Sequence, residues 1–263
     1  MSALPKPQHL TPPIPAASLS PSLSRTPYGA SAAYELKFLL SEEVAQEVER
    51  VLAARMQVDP YAAQSDEGAY AITSTYLDTP RFDVFHRVGR HRFRKLRIRR
   101  YGDATWRFLE QKTKRKQRVR KQRSRADEGQ LAFLGAPLLL ESWDGAWFHR
   151  KAMRWELAPV CEAAYLRRAY FAEEAGSPYR LTFDRKLRAR AAAGWGASVS
   201  GEAIAIGEGE VICEFKFRGA MPSHFREAVE RFGLVACGAS KYRRSAAALG
   251  LVSFDASRSD EDA

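Results

Sequence analysis

The stretch KLRIRRYG at 95–102 and the segment WRFLEQK at 106–112 decide the fold. In the first, Leu96 and Ile98 point one way while Lys95, Arg97 and Arg99 point the other, the period-two alternation of a strand. In the second, Glu110 and Lys112 lie together. Working outward, the same design recurs. YELKF at 34–38 sets Glu35 and Lys37 against Tyr34, Leu36 and Phe38. RLTFDRKL at 180–187 sets Arg180, Thr182 and Asp184 against Leu181, Phe183 and Leu187. EVICEFKF at 210–217 sets Glu214 and Lys216 against Val211, Cys213, Phe215 and Phe217. Five strands thus share an apolar face and a face of long cationic side chains with a few carboxylates.

An antiparallel sheet with one face in water gives the same alternation. However, solvated faces usually mix neutral polar residues with charges, and like charges directly opposite each other destabilise a sheet. The strands suit an α+β protein built on a large antiparallel sheet or a closed barrel, and a closed β-barrel with a charged lumen, its apolar outer faces covered by flanking helices, avoids both difficulties. Such a lumen suits a linear polyanion. Alternation marks strands at 34–38, 70–77, 92–101, 105–112, 160–170, 179–187 and 210–218. Helices are expected after Ser41 as N-cap, from about Pro222 to Phe232 with Gly233 as the stop, and from Ser240 to Leu249. Residues 127–157 are apolar and Trp-rich, with mixed helical character.

Charge is concentrated. Of the 42 Lys+Arg in the 263-residue chain, 18 fall between His86 and Arg125, beside only two acids, Asp103 and Glu110. The rest of the chain carries 24 bases against 29 acids, so this one segment supplies the whole positive excess of +11. That implies a polyanionic partner. Three scattered cysteines exclude a disulfide framework and a Cys-x-x-Cys metal knuckle and suit a cytoplasmic protein. No run approaches the length of a transmembrane segment, and no signal peptide is expected. Residues 1–30 hold seven of the 13 prolines and read as a disordered leader. Residues 31–252 form the folded unit, and 253–263 an acidic disordered tail.

Carboxylates among so many cations would attract a hard divalent ion, Mg²⁺ or Mn²⁺, of the kind that accompanies triphosphates. Glu214 is the first candidate ligand, with Glu35 and Glu110 next. For those two, an ion pair with a neighbouring base is an equally open reading. No histidine pair at ligand spacing is present.

At this point the residues resemble the VTC-type polyphosphate polymerase domain, a branch of the CYTH superfamily of triphosphate tunnel metalloenzymes. The likeness runs in order through YELKF (34–38), STYLDTP (74–80), KLRIRRYG (95–102), FLEQKTK (108–114), YLRRAY (165–170), RLTFDRKL (180–187), EVICEFKF (210–217) and SKYRRS (240–245). It implies an eight-stranded tunnel that transfers the γ-phosphoryl group of ATP to a growing polyphosphate chain, with ATP and polyphosphate or pyrophosphate as partners and a divalent metal as cofactor. Carried over by position, Arg97, Arg99, Lys112 and Arg180 would be catalytic. Lys37, Lys95, Arg167, Lys216, Ser240 and Lys241 would bind phosphate, and Glu214, Glu35 and Glu110 would face the metal. Arg168 adjoins Arg167, and only the Tyr-x-Arg spacing favours the latter. Lys121 or Arg123 adds a further contact on this reading, in a run too dense in bases to choose between them. The wider superfamily opens with Glu-x-Glu-x-Lys, but here Ala33 stands first. That favours the polymerase branch over a tripolyphosphatase. No SPX-like segment and no membrane helix are expected with this domain.

Two other readings stand beside it. A triphosphatase or a nucleotide cyclase could use the same tunnel, since one fold hosts several chemistries. A nucleic-acid-binding protein could stack bases on Phe93, Tyr101, Trp106 and Phe108, but the Glu residues within those strands would repel the backbone.

Overall fold

The computed structural model describes residues 33–253 apart from 64, 66, 67, 116, 117 and 197–201. The leader at 1–30, and the tail from 254 onward, lie outside the described residues. Ten strands form one antiparallel sheet. They are β1 (Ala33–Ser41), β2 (Gln57–Val58), β3 (Tyr70–Asp78), β4 (Arg94–Tyr101), β5 (Trp106–Arg115), β6 (Arg118–Asp127), β7 (Ala158–Glu174), β8 (Ser177–Ala191), β9 (Ile204–Ala205) and β10 (Glu210–Arg218). The ladder runs β1-β10-β8-β7-β3-β4-β5-β6, with β2 added to β7 and β9 to β8. Helices are α1 (Glu42–Ala53), α2 (Pro60–Ala63), α3 (Ala146–Arg154), α4 (Ser223–Arg231) and α5 (Lys241–Ala248), with 3₁₀ turns at Gly89–Phe93 and Glu128–Gly135.

This corrects the expected eight-stranded barrel in two ways. Ten strands are present, and the sheet is open, because no ladder joins β1 to β6 among the described residues. The edge of β1 is partly taken elsewhere: the Cys237 N–H donates to the Lys37 carbonyl at 2.8 Å. The two ends nevertheless meet through side chains, since Lys112 of β5 grips Glu35 of β1 at 2.6 Å and 2.7 Å. The sheet curls into a trough whose inner face is the charged one.

The outer face is apolar, as the alternation requires. Ser41 caps α1 by accepting the Val44 N–H at 3.4 Å, and α1 and α4 then cover β1, β10 and β8. Phe38, Val48, Leu52, Phe183, Phe215 and Phe225 are buried there together, and Phe215 stacks on Phe225 with ring centroids 4.2 Å apart. On β4 and β5, Leu96, Ile98 and Leu109 are buried in one cluster with Leu131, Leu134 and Phe148. Each such side chain contributes about 1.5–3 kcal/mol relative to exposure.

At one end of the trough the inner face is apolar as well, and α5 fills it. Tyr242 and Ala246 join Tyr76, Cys161, Ala163 and Ile212 in a buried group. Asp78 fastens this plug. It accepts the N–H groups of Thr79, Val84 and Phe85 at 2.7, 2.8 and 2.9 Å, and the Tyr242 hydroxyl donates to it.

Candidate functional site

The register brings charged side chains of successive strands into rows on the inner face. Lys37 stands opposite Glu214, and Glu214 opposite Thr182. Lys216 lies between Glu35 and Arg180. On the other wall Arg97 faces Glu110, and Lys95 faces Lys112. Glu110 in turn faces Arg123, and Lys112 faces Lys121.

Three carboxylates are consumed by neighbouring bases. Glu110 is 1% exposed. It accepts from Arg97 at 2.7 Å and from Arg123 at 2.7 Å, and Lys121 lies 2.7 Å away. Burial acts to raise the Glu110 carboxyl, but Arg97, Arg99, Lys121 and Arg123 hold it well below the usual carboxylate range. Glu35 takes Lys112 on both oxygens and Lys37 at 3.3 Å. Against burial, Lys37, Lys112 and Lys216 keep it ionised. Asp184 accepts a two-pronged contact from Arg167 at 2.6 and 2.7 Å, with Lys241 at 2.5 Å. Against burial, these two bases hold its carboxyl below the usual range.

Glu214 is different. It makes no hydrogen bond or ion pair among the described residues, although its charge helps raise the Lys37 ammonium against the cost of burial. Of the three residues considered as metal ligands from sequence, Glu35 and Glu110 adopt the ion-pair alternative, while Glu214 keeps its oxygens open. Among the described residues no group of three or more His, Cys, Asp or Glu could hold a metal ion. A cation here would therefore rest on one carboxylate, with phosphate oxygens and water completing its shell.

The cations of the inner face are held in place mainly by neutral partners or by those carboxylates. Arg99, 5% exposed, donates to Ser74 at 3.0 Å and Tyr165 at 3.1 Å, and so keeps its charge uncompensated by a direct ion pair. Lys95 donates to Ser240 at 3.0 Å. Burial, then Lys37, Arg87, Lys112 and Arg243, bring its ammonium down to about 7. Arg180 bonds Asp59 at 2.6 Å and the Tyr70 hydroxyl at 3.1 Å. Lys216 makes no hydrogen bond or ion pair among the described residues, and acts on Glu35 opposite it through its charge.

All thirteen residues singled out from the sequence thus lie on the inner face or, for Ser240 and Lys241, reach it from the start of α5. Arg167 points inward to Asp184, whereas Arg168 is 44% exposed at its side chain and lies 3.8 Å from Glu49 on the other side. Lys121 and Arg123 both face inward, and both contact Glu110. Sequence reading missed the partners: Asp184 as the counter-ion of Arg167 and Lys241, and Tyr165 beneath Arg99. The alternation placed Asp184 on the charged face but could not name its partners.

A family model for the VTC domain matches residues 32–250. The chain belongs to the VTC-domain family. Solved structures similar to this VTC domain include a candidate adenylyl cyclase from Hippeastrum with a dominant triphosphatase activity. It is 15% identical, with a TM-score of 0.47, covering 86% of this chain and 98% of that one. A candidate adenylate cyclase from Bacillus halodurans is also 15% identical, with a TM-score of 0.45, covering 78% and 92%. At these scores neither bears on the activity of this VTC domain. A search of curated proteins finds no match. Among the described residues no helix is long and apolar enough to cross a membrane.

Proposed function

We propose that this VTC domain is a polyphosphate polymerase. It would transfer the γ-phosphoryl group of ATP to the terminal phosphate of a growing inorganic chain within the basic trough. The observation that carries this reading is the pairing of one open carboxylate, Glu214, with a wall of cations of which Lys95, Arg99 and Lys216 make no ion pair among the described residues. That arrangement fits a triphosphate better than it fits bulk water.

Arg97, Arg99 and Arg180 would supply forked donors to phosphate oxygens, and Lys37, Lys95, Lys112, Lys216 and Lys241 would act as point charges. Arg167, held by Asp184, would orient beside them. The reaction breaks the bond from the γ-phosphorus to the β-bridging oxygen and forms one to a terminal oxygen of the acceptor, with ADP leaving. The acceptor oxygen is already ionised, so no general base is required. The described histidines fit this, for none stands on the inner face of a strand. His149 is buried within α3, and His224 packs against Tyr179 and Phe225 at 5.0 and 4.9 Å. What remains for the protein is in-line positioning and neutralisation of charge. A Mg²⁺ or Mn²⁺ ion held by Glu214 would supply further neutralisation of the phosphates. The three free thiols, Cys161, Cys213 and Cys237, suit a reducing, cytoplasmic compartment.

A triphosphatase on the same trough is the alternative. Incubation with ATP and Mn²⁺, followed by a gel for polyphosphate ladders and an assay for free phosphate, separates the two. Ladders are the expected result; free phosphate without ladders would replace the polymerase with the hydrolase.

A further inference from the structure

The end of the trough opposite α5 is rimmed by aromatic rings. Along β5, Trp106 and Phe108 precede Glu110 and Lys112 on the inner face, and along β4 Tyr101 follows Arg97 and Arg99. Two residues of strand span about 7 Å, so cations give way to rings within one step. The rings form a continuous belt. Tyr61 of α2 stacks on Tyr101 at 5.8 Å, Tyr101 meets Phe108 edge-on at 5.9 Å, and Phe108 meets Trp106 at 4.8 Å. Tyr70 adjoins Tyr61 and Tyr101 at 5.9 and 6.1 Å.

Plain packing would explain Tyr70 and Tyr101, which both reach the core cluster behind them. It does not explain the other three. Tyr61, Phe108 and Trp106 are half-buried yet belong to neither core cluster. Two of them already carry flat cationic groups: the Arg123 guanidinium lies 3.9 Å from the Phe108 centroid, and that of Arg125 lies 5.1 Å from Trp106. A planar, delocalised group laid on such a ring is the geometry a nucleobase adopts when it stacks. The opposite end of the trough is filled by Tyr242 and its neighbours, so of the two ends the ringed one is left for a bulky group attached to a bound triphosphate.

We infer that this belt is a stacking platform for the base of a nucleoside triphosphate, and that it lets the trough hold nucleotides more tightly than inorganic tripolyphosphate. The inference rests on the trough binding triphosphates, as proposed above, and adds the residues that hold the base. Stacking reads a π-face and not a hydrogen-bond pattern, so purine nucleotides are favoured over pyrimidine nucleotides without strict selection.

The test is calorimetric binding to the full chain of two probes, a non-transferable β,γ-imido analogue of ATP and inorganic tripolyphosphate. Trp106→Ala and Tyr61→Ala are each expected to weaken the nucleotide about tenfold while tripolyphosphate changes less than about twofold. Trp106→Phe should retain most of the nucleotide affinity. Melting curves check folding, and Tyr61 on the short α2 serves if the tryptophan variant unfolds. Equal weakening of both probes, or no weakening of the nucleotide, overturns the platform. If the unaltered protein binds neither probe, the triphosphate reading of the trough falls and the platform with it. Binding of both probes without polyphosphate synthesis removes the polymerase reading and leaves the platform standing.

Discussion

Lys37 and Glu214 stand directly opposite each other across the β1–β10 ladder, yet they do not form an ion pair. The Lys37 ammonium turns along its own strand to Glu35 at 3.3 Å, and Glu214 is left with no bonding partner among the described residues. A half-buried carboxylate amid lysines would ordinarily collapse onto one of them. Here the direct contacts of Lys37 and of Lys112 both go to Glu35 instead, and Glu214 acts on Lys37 through its charge alone.

Glu214→Gln separates a metal role from simple charge balance. If Glu214 only balances a nearby base, the change costs little, because exposed pairs are worth about 0–1 kcal/mol. If it holds a divalent ion against the phosphates, ATP turnover should fall roughly a hundredfold or more. Nucleotide binding measured without metal should persist or tighten, since one repelling charge has gone. Full turnover at ordinary metal concentrations would exclude the metal role.

How much of this was legible in the sequence depends on whether a strand has an apolar face. β1, β4, β8 and β10 do, and their inner residues could be read residue by residue from period two. β6 could not be found this way. Its outer positions include Arg120, Gln122 and Ser124, and its inner ones Lys121, Arg123 and Arg125, so neither face is apolar and the run reads as a basic loop. The openness of the sheet was equally hidden, because neither the missing β1–β6 ladder nor the Cys237 N–H that reaches the edge of β1 across 200 residues of chain leaves a local pattern. For the carboxylates, alternation placed Glu35, Glu110 and Glu214 together. Only distances distinguish those already gripped from the one left open.

Lys95 gives the trough a pH dependence. Its ammonium is brought down to about 7, first by burial and then by Lys37, Arg87, Lys112 and Arg243. In the free protein it therefore loses its proton as pH rises through that value, and an incoming polyanion pulls the proton back. Triphosphate affinity should fall from pH 7 to pH 9, with proton uptake on binding at pH 8. Tyr101, likewise brought to about 7 mainly by Arg99 against burial, adds to the same fall. In Lys95→Arg, whose side chain stays charged, the decline should be shallower. Affinity profiles that superimpose for the two proteins would assign the titration elsewhere.

The plug at the far end should be a matter of stability. Asp78 accepts three backbone N–H groups and the Tyr242 hydroxyl while fully buried. Tyr242→Phe removes one donor to a charged acceptor, worth about 1.5–3 kcal/mol. Tm is expected to drop by roughly 3–12 °C for a domain of this size. Asp78→Asn should cost more, because an amide nitrogen cannot accept from the donors its oxygen served. An Asp78→Asn protein melting no lower than Tyr242→Phe would mean the backbone bonds contribute little.

Glu110 offers the most direct test of why the trough is charged. It is the common counter-ion of Arg97, Lys121 and Arg123, and its ionised form is favoured in the fold. Its stabilising contribution is therefore present above the ordinary carboxylate range and lost only as pH falls well below it. Glu110→Gln leaves three bases facing one another without a charge between them, and breaking a buried pair in this way costs about 3–5 kcal/mol. A bound polyanion would replace the missing charge. The variant should melt lower than the unaltered protein when empty, yet gain more in Tm when saturated with tripolyphosphate, because ligand that binds only the folded state adds stability in proportion to its affinity. The gain should shrink at high salt, where the crowded bases are screened. If instead tripolyphosphate stabilises the variant less than the unaltered protein, then Glu110 works by holding Arg97 and Arg123 in the geometry that grips phosphate. Its role would then be positioning and not charge balance.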